Sequence, residues 1–547
     1  MKADLEPANR QLVRPPASRH CERVGKLWVF FCFAALFALG VNVYRDYGFY
    51  FDENIQRVIG AVTVKHVVER FAPSLAPPAM ALLPKLDDYS DRDYGVAFEA
   101  PTVVLEGLLG LTDKRDIYFL RHFLTFLVCL GGMYAVYCLA HRRFADRRIG
   151  LLAVAFLVLS PRLFAESFYN SKDTVLMAAF AIALNTTIAF VLKPRPGPAV
   201  LHALATAFAV DVRIAAIILP MATIALLAVR IVKREVNPRP ALSALAIYLA
   251  TMAVFVVAMW PWLWADPLGR FMQALASMSS FRWEGDVLYM GTFFRGTDLP
   301  WHYIPVWISI TTPLLYLVLF LVGAALTCRQ IVTSFPGLWK DEAELQDVVF
   351  LGMFGAPVGA VIVLHPVLYD GWRHLYFVYP SLLMVAVRGW HALWSGTAAA
   401  RIRRPALAAL TAISFAVTTA WMWRAHPLQN VYFNLLAGTD LKARYDLDYW
   451  GLSARRGLEY VLAHDGRDDI SIRADSFMEL DRSIYLLTLP ERSRLQMAPD
   501  EDSAEYLFTD YRWVRDTSNA KYQTRYDLFY EVKVDDEVIL SVFKRKP

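Results

Sequence analysis

The chain has 547 residues, of which 56% are hydrophobic, 14% aromatic and only 20% charged, with a formal net charge of +5. That composition is too apolar for an ordinary soluble protein, and so small a charge excess argues against a nucleic-acid partner. Repeated apolar runs of near-spanning length point instead to a chain threaded through a membrane.

The first 26 residues carry Arg10, Arg14, Arg19, Arg23 and Lys26 and lead into an apolar run. A cleaved signal peptide is one reading of such a start. The length of the run, with no small-residue cleavage site after it, favours an uncleaved first span with residues 1–26 in the cytoplasm. Apolar segments then recur at 27–44, 118–140, 149–161, 173–192, 199–210, 214–231, 241–260, 304–326, 347–364, 375–390 and 404–422, about eleven spans. The segments 149–161 and 199–210 are short, as in tilted or broken helices.

Loop charge orients this string. The connections "HRRFADRR" (141–148), "KPRPG" (193–197), "VKREVNPRP" (232–240), "CRQIVTSFPGLWK" (328–340) and "SGTAAARIRRP" (395–405) are short and basic, and the positive-inside rule makes them cytoplasmic. The opposite connections, 45–117, 162–172, 211–213, 265–303 and 365–374, then face outward. The prediction is a polytopic α-helical membrane domain over 27–423 with a long first external loop, 45–117, followed by an extracytoplasmic domain over 424–547.

In that tail, "YEVKVDDEVILSVFKRK" alternates like two strands around Asp535 and Asp536. "SARRGLEYVLAH" has helical periodicity, and "DDISIRA" and "YRWVRD" read as further short strands. The expectation is a small α/β domain. None of the five cysteines lies after Cys328, so no disulfide framework is expected there.

The polar residues of interest fall on the outward side. The first span ends in "YGFYFDENIQR", where Asp52 and Glu53 follow a run of aromatics. Residues 55–71 have helical periodicity with a basic polar face, which predicts a helix lying in the interface. Asp52 then has two readings, a helix N-cap or a general base at headgroup depth. "SPRLFAESFYNSKD" adds Arg162, Glu166, Asn170, Lys172 and Asp173, either a plain loop or the wall of a polar cavity. "AVDVRIAAI" adds Asp211 and Arg213. The aromatic loop 260–307 carries Arg282, Arg295 and His302, and "YDGWRH" brings Asp370, Arg373 and His374. Guanidinium groups beside aromatic rings suit a phosphate. His302, His365 and His374 lack metal-ligand spacing, whereas a divalent ion on the acids of 87–93 or on Asp52 stays open. With no glycine-rich phosphate loop, a donor would arrive through the membrane.

An Asp-Glu pair after the first span, a multi-span core and an external C-terminal domain resemble the GT-C superfamily, family 39-like. Its members include protein O-mannosyltransferases and the aminoarabinose transferases of lipid A. "SPRLFAESFYNSKD", "LPWHYIPVWISITTP", "YDGWRHLYFVYP" and "VYFNLLAG…YDLDYWGLS" carry the likeness, over roughly residues 27–455. The resemblance implies an integral, multi-pass glycosyltransferase of a bacterial inner membrane. It would take a polyprenyl-phosphate-sugar donor and a protein, lipid or glycan acceptor, with inversion at the anomeric centre. It makes Asp52 the base with Glu53 as neighbour. It leaves Lys172, Arg213, Arg282, Arg295, Arg373 and His374 as partners of the leaving phosphate, with Asp173 as a second acid. It implies no certain cofactor, though a divalent cation is compatible with it. A transporter or flippase of a lipid-linked sugar is the main alternative, and a membrane-anchored binding protein is a third. Charges gathered on one face, without visible repeats, favour the enzyme.

Overall fold

A computed structural model describes residues 19–547 apart from 280–282, 284, 398 and 515–518. The membrane part begins with α1 (Arg19–Val43), α2 (Glu53–Phe71), α3 (Glu99–Leu108), α4 (Lys114–Phe144), α5 (Arg147–Val158) and α6 (Pro161–Tyr169). It continues with α7 (Asp173–Leu192), α8 (Pro196–Val212), α9 (Ile218–Val232), α10 (Pro238–Met259) and α11 (Pro267–Ser279). A hairpin of β1 (Asp286–Tyr289) and β2 (Thr292–Arg295) precedes α12 (Tyr303–Thr311), α13 (Leu314–Thr333), α14 (Glu342–Leu364), α15 (Tyr379–Ser395) and α16 (Ala400–Ala425).

Among the described residues, eight helices are long and apolar enough to cross a membrane, or nine if α5 and α6 form one bent span. Two more of the eleven expected segments are the 17-residue helices α8 and α15. The expected break near 149–161 lies at Ser160-Pro161, where α5 and α6 meet at 76°. Proline lacks the amide that would continue the helix and forces the residue before it out of helical geometry. The predicted span 304–326 is likewise interrupted at Thr312-Pro313, between α12 and α13.

The basic loops gather at one end of the bundle. There Arg143 of α4 grips Asp347 of α14 through two bonds of 2.7 and 2.6 Å, and Arg388 of α15 adds a third contact at 3.1 Å. Close packing of α13 on α15 depends on Gly323 and Gly389, since a methyl group at either would overlap the Val385 or Leu319 carbonyl.

At the other end stands the tail domain. After α17 (Leu441–Arg444) and α18 (Ala454–His464) come β3 (Ile470–Ala474), then α19 (Leu480–Ser483), α20 (Leu489–Ser493), β4 (Leu495–Met497), β5 (Tyr506–Thr509), β6 (Tyr526–Val534) and β7 (Glu537–Arg545). They form one mixed sheet in the order β4-β3-β5-β7-β6. The hairpin around Asp535-Asp536, the helix after Ser453 and the strand in "DDISIRA" all form as the sequence predicts. "YRWVRD" does not start as a strand: Tyr511 and Trp513 have φ of 65° and 63°, outside extended geometry, and the strand is the preceding Tyr506–Thr509. The domain is tied to the membrane part by Arg455, which donates to the Arg45 and Tyr47 carbonyls, and by Arg492, paired with Asp113 at 2.6 Å.

The helix expected to lie in the interface does form as α2, but its polar side is partly turned inward. Gln56, Thr63 and Lys65 are buried, and Lys65 donates to the Leu83 carbonyl at 2.5 Å. Residues 73–88 fold back over it in short 3-10 turns.

Candidate active site

The aromatics before Asp52 are core rather than membrane belt. Tyr47, Phe49 and Tyr50 are buried. Tyr47 stacks on Phe168 at 4.8 Å, and Tyr50 sets its edge to Trp450 at 4.6 Å. Gly48 lies where any side chain would collide with the Leu452 carbonyl, so the stretch runs tight against the segment leading into the tail domain. This packing fixes the backbone that delivers Asp52, two residues after Tyr50.

Asp52 occupies the N-cap position of α2, yet its side chain makes no capping bond. Its carboxylate faces Arg373 instead, with Oδ2 at 3.3 Å from Nη1. The same Nη1 lies 3.0 Å from Asp173, and Nη2 lies 3.3 Å from Asp370. Tyr369 and Trp450 sandwich the guanidinium at 4.7 and 4.5 Å. Asp173 is paired on its other oxygen with Arg213. Asp370 is paired with Arg512 of the tail domain at 2.7 Å, and Arg512 also donates to the Tyr449 carbonyl at 2.6 Å. Asp370 has φ of 55°, which aims its two oxygens at two different arginines.

Lys172 ends this chain of charges. Its ammonium lies 3.9 Å from the centre of the Tyr94 ring, and among the described residues it forms no carboxylate pair like those of the three arginines. In these ion pairs the three carboxylates Asp52, Asp173 and Asp370 face Arg213, Arg373 and Arg512, with Asp446 and Asp510 also acting on Arg512.

Burial acts on these groups in opposite senses. It works against the charge of Arg373, but Asp52, Tyr369, Asp173 and Asp370 outweigh it and hold the pKa well above the ordinary value. Asp370 is raised, because burial exceeds the pull of Arg512 and Arg373. His374 is held well below its usual pKa by burial, then by Arg373, Arg213 and Lys172, so it offers a neutral imidazole rather than a cation. Lys172 is lowered to about 8 by burial and Arg213, against Asp52 and Asp173.

That value predicts a pH dependence. Lys172 is charged below about pH 8 and loses its proton above it, so its hold on an anion should fade as pH rises through that point. The folded pKa is depressed, so burying the charged amine costs stability below about pH 8, a cost relieved between there and the unfolded value of 10.5. Binding of a polyprenyl phosphate, the ligand the sequence resemblance leads one to expect, followed by thermal shift from pH 6.5 to 9.5, should weaken through the upper half of that range. Lys172→Arg should flatten the profile, and an unchanged profile in that variant would remove Lys172 from the site.

Glu53 points away from Asp52. It is buried against His122 at 3.3 Å. Nearby, Arg121 pairs with Glu99 and with Glu106 at 3.2 Å, Arg57 meets Glu106 at 2.8 Å, and Ser171 donates to Glu99 at 2.7 Å. This second network joins α2, α3 and α4 to the Asn170–Lys172 link and so holds the wall on which Asp52 and Asp173 stand. The stretch 161–169 is the buried helix α6 rather than a loop. Its Glu166 accepts from Asn170 and Tyr376, each at 2.8 Å, and its Arg162 lies against Trp307, Phe433 and Tyr449.

The expected site residues therefore separate. Asp52, Lys172, Asp173, Arg213, Arg373 and His374 come together. Glu53 joins the neighbouring network, and Arg295 stands exposed on β2 outside these ion pairs. Arg282 lies outside the described residues. Sequence reasoning did not name Arg512 and Trp450 as partners of the site; both come from segments distant in sequence, although Trp450 lies in "YDLDYWGLS", one of the stretches that carry the family likeness.

Residues 87–93 do not gather into a metal site. Asp87 pairs with Arg270 at 2.9 Å, and among the described residues no three His, Cys, Asp or Glu side chains converge as ligands. Between Asp52 and Asp173 the space is filled by Arg373, so a divalent ion there does not fit the residues present.

A cavity of about 350 Å³ opens beside the cluster. Its polar end is formed by Arg213, His374, Tyr94 and Tyr369, and its long wall by Ile214, Ile218, Pro357, Ala360, Val361, Leu364 and Phe377.

Residues 118–264 match the protein family described as dolichyl-phosphate-mannose-protein mannosyltransferase. The membrane core is that of a glycosyltransferase. The matched segment of this transferase core runs from α4 through α10 and contains Lys172, Asp173 and Arg213, whereas Asp52, Arg373 and Arg512 lie outside it. No curated protein matches the chain. Among solved structures, the transferase is similar to ArnT from Cupriavidus metallidurans in the apo state, at 14% identity, with 95% of this chain and 98% of that one covered and a TM-score of 0.48. The same protein bound to undecaprenyl phosphate gives 14% identity, coverage of 94% and 98%, and a TM-score of 0.44. The apo oligosaccharyltransferase of Archaeoglobus fulgidus gives 9% identity, coverage of 86% and 65%, and a TM-score of 0.40.

Proposed function

We propose that this chain moves a sugar from a polyprenyl-phosphate donor to an acceptor hydroxyl in one inverting displacement, with Asp52 as the base. The observation that carries this is the cavity, apolar along its length with Arg213 in its polar lining, which adjoins the ion cluster that holds Asp52. A polyprenyl chain needs an apolar wall, its phosphate needs cations, and the sugar must lie within reach of a base. The family that the core matches is itself described by a polyprenyl-phosphate sugar.

Exposure selects the base among the three acids. The Asp52 side chain is 17% exposed, Asp173 is 0% and Asp370 is 5%. Asp52 alone of the three can meet an incoming hydroxyl, and its pairing with Arg373 fixes its direction. In the displacement, Asp52 takes the acceptor proton as the acceptor oxygen bonds to the anomeric carbon. The bond from that carbon to the phosphate oxygen breaks on the opposite face. The negative charge gathering on that oxygen is met by Lys172 and Arg213, and neutral His374 can donate a hydrogen bond. Asp173 keeps Arg213 and Arg373 in place.

The charge pattern supports an orientation with the N-terminus cytoplasmic and both the site and the tail domain extracytoplasmic. The basic loops share one end, and the site shares the other with the tail domain. In this reading the protein sits in the inner membrane of a bacterium.

The reading is tested by closing the cavity without touching its charges. Ala360→Trp on α14 places an indole in the apolar wall. The variant should fold normally and lose stabilisation by undecaprenyl phosphate, measured by thermal shift in detergent. Unchanged stabilisation would move the donor elsewhere.

A further inference from the structure

The tail domain does more than cover the site. Phe51, the residue before Asp52, faces Phe477 of the tail at 4.8 Å, and Phe477 faces Trp513 at 4.2 Å. The three rings form a continuous ledge that begins one residue from the base. Phe477 is 38% exposed, and Phe51 and Trp513 are half-buried. Three adjoining rings beside an acid form a contiguous apolar patch with a polar edge, the kind of surface that marks an interaction site.

The charges at the ledge restrict what that ligand can be. Asp52 lies at one end. Glu479, two residues beyond Phe477, stands beside it, close enough for the Asp52 charge to help raise Glu479 to about 7, after burial and Asp481 and against Arg482. Among the described residues the cations here are already engaged. Arg482 faces Glu479 at 3.3 Å, and Arg512, beneath the three rings at 5.9, 5.1 and 5.4 Å, is held by Asp370 and the Tyr449 carbonyl. Lys172 lies by the Tyr94 ring, on the donor side. A phosphate or other anionic acceptor would therefore meet carboxylates. A sugar ring fits: its C–H face stacks on aromatic rings, and its hydroxyls donate to carboxylates.

We infer that the Phe51–Phe477–Trp513 ledge is the acceptor site and that the acceptor is an uncharged saccharide, whose hydroxyl is presented to Asp52. This rests on the transferase reading above and adds its acceptor class. The tail domain is then the part that selects the acceptor, while the membrane part holds the donor.

The test uses the full-length protein in detergent. An array of mannose-, glucose- and N-acetylglucosamine-based oligosaccharides, each with a phosphorylated counterpart, reads the ledge. Stabilisation by undecaprenyl phosphate reads the donor cavity separately. The neutral oligosaccharides should be retained over the phosphorylated ones. Phe477→Ala should weaken that retention by roughly five- to tenfold, about what one aromatic face contributes. Phe477→Leu, which keeps apolar packing over Arg512 but removes the ring, should weaken it as much, and Phe477→Trp should restore it. Stabilisation by undecaprenyl phosphate should be the same in all three. Preference for the phosphorylated glycans, no retention of neutral ones, or wild-type retention in Phe477→Leu would each overturn the inference while leaving the transferase reading in place. The last result would reduce the rings to a clamp on Arg512. Failure of undecaprenyl phosphate to stabilise the wild-type protein would instead overturn the donor reading and take the acceptor assignment with it.

Discussion

Replacing Asp52 with asparagine should lower sugar transfer by roughly two to four orders of magnitude, the usual contribution of a positioned general base. The substitution is nearly isosteric, and asparagine is as acceptable at an N-cap as aspartate. The backbone role survives as well, since the Asp52 carbonyl that accepts from Gln56 at 2.9 Å is untouched. The amide oxygen can still face Arg373. What disappears is the ability to take a proton. Expression, membrane insertion and stabilisation by undecaprenyl phosphate should therefore stay near wild type while turnover collapses. Transfer from a matched polyprenyl-phosphate-sugar donor, measured with purified protein, decides the point. Near-wild-type turnover would exclude Asp52 as the base. Glu53→Gln should act differently, through loosening of the His122 contact, with a loss of stability rather than a selective loss of turnover.

Replacing Arg373 with alanine should do the most structural damage of any single change at the site, costing about 3–5 kcal/mol, as expected when one partner of a buried ion pair is removed. The guanidinium is 2% exposed and serves Asp52, Asp173 and Asp370 together. Without it, Asp173 keeps Arg213 and Asp370 keeps Arg512, but Asp52 loses the contact that orients it. The rings of Tyr369 and Trp450 lose the flat group between them. Since a whole domain is stable by only about 5–15 kcal/mol, the loss should appear as a clearly lowered melting temperature in detergent together with lost activity. Arg373→Lys should recover only part of it, because a single ammonium cannot bridge three carboxylates as a planar fork does. An alanine variant with unchanged melting temperature and turnover would contradict this account of the cluster.

Much of the membrane architecture was legible in the sequence because hydrocarbon imposes its own rule. Backbone groups in lipid must be satisfied within a helix, so spans show as apolar runs, and loop charge sorts the two ends. The helix break at Pro161 was visible as a short segment. The terminal hairpin showed in its period-two alternation. Where local rules weaken, the reading slipped. "YRWVRD" has strand-like composition, but Tyr511 and Trp513 turn through positive φ to bring Arg512 to Asp370. Residues 161–169 read as either a plain loop or the wall of a polar cavity, and the helix that forms there, with its charges buried against partners far along the chain, was not visible.

The amino-acid sequence by itself determined that this is a many-span membrane protein, and its loop charges set the expectation that basic loops share one side while the acids and arginines of interest collect on the other. Those properties follow from composition and local spacing. Only the tertiary structure decided which charges meet. It turned Asp52 away from capping and toward Arg373, and it sent adjacent Glu53 to a different network. It left Arg295 outside and drew Arg512 in from the tail domain. Each of these turns on side-chain direction and on contacts between segments as much as 321 residues apart, as for Asp52 and Arg373. No local pattern encodes such contacts, because their energy comes from burial and pairing after the bundle has closed.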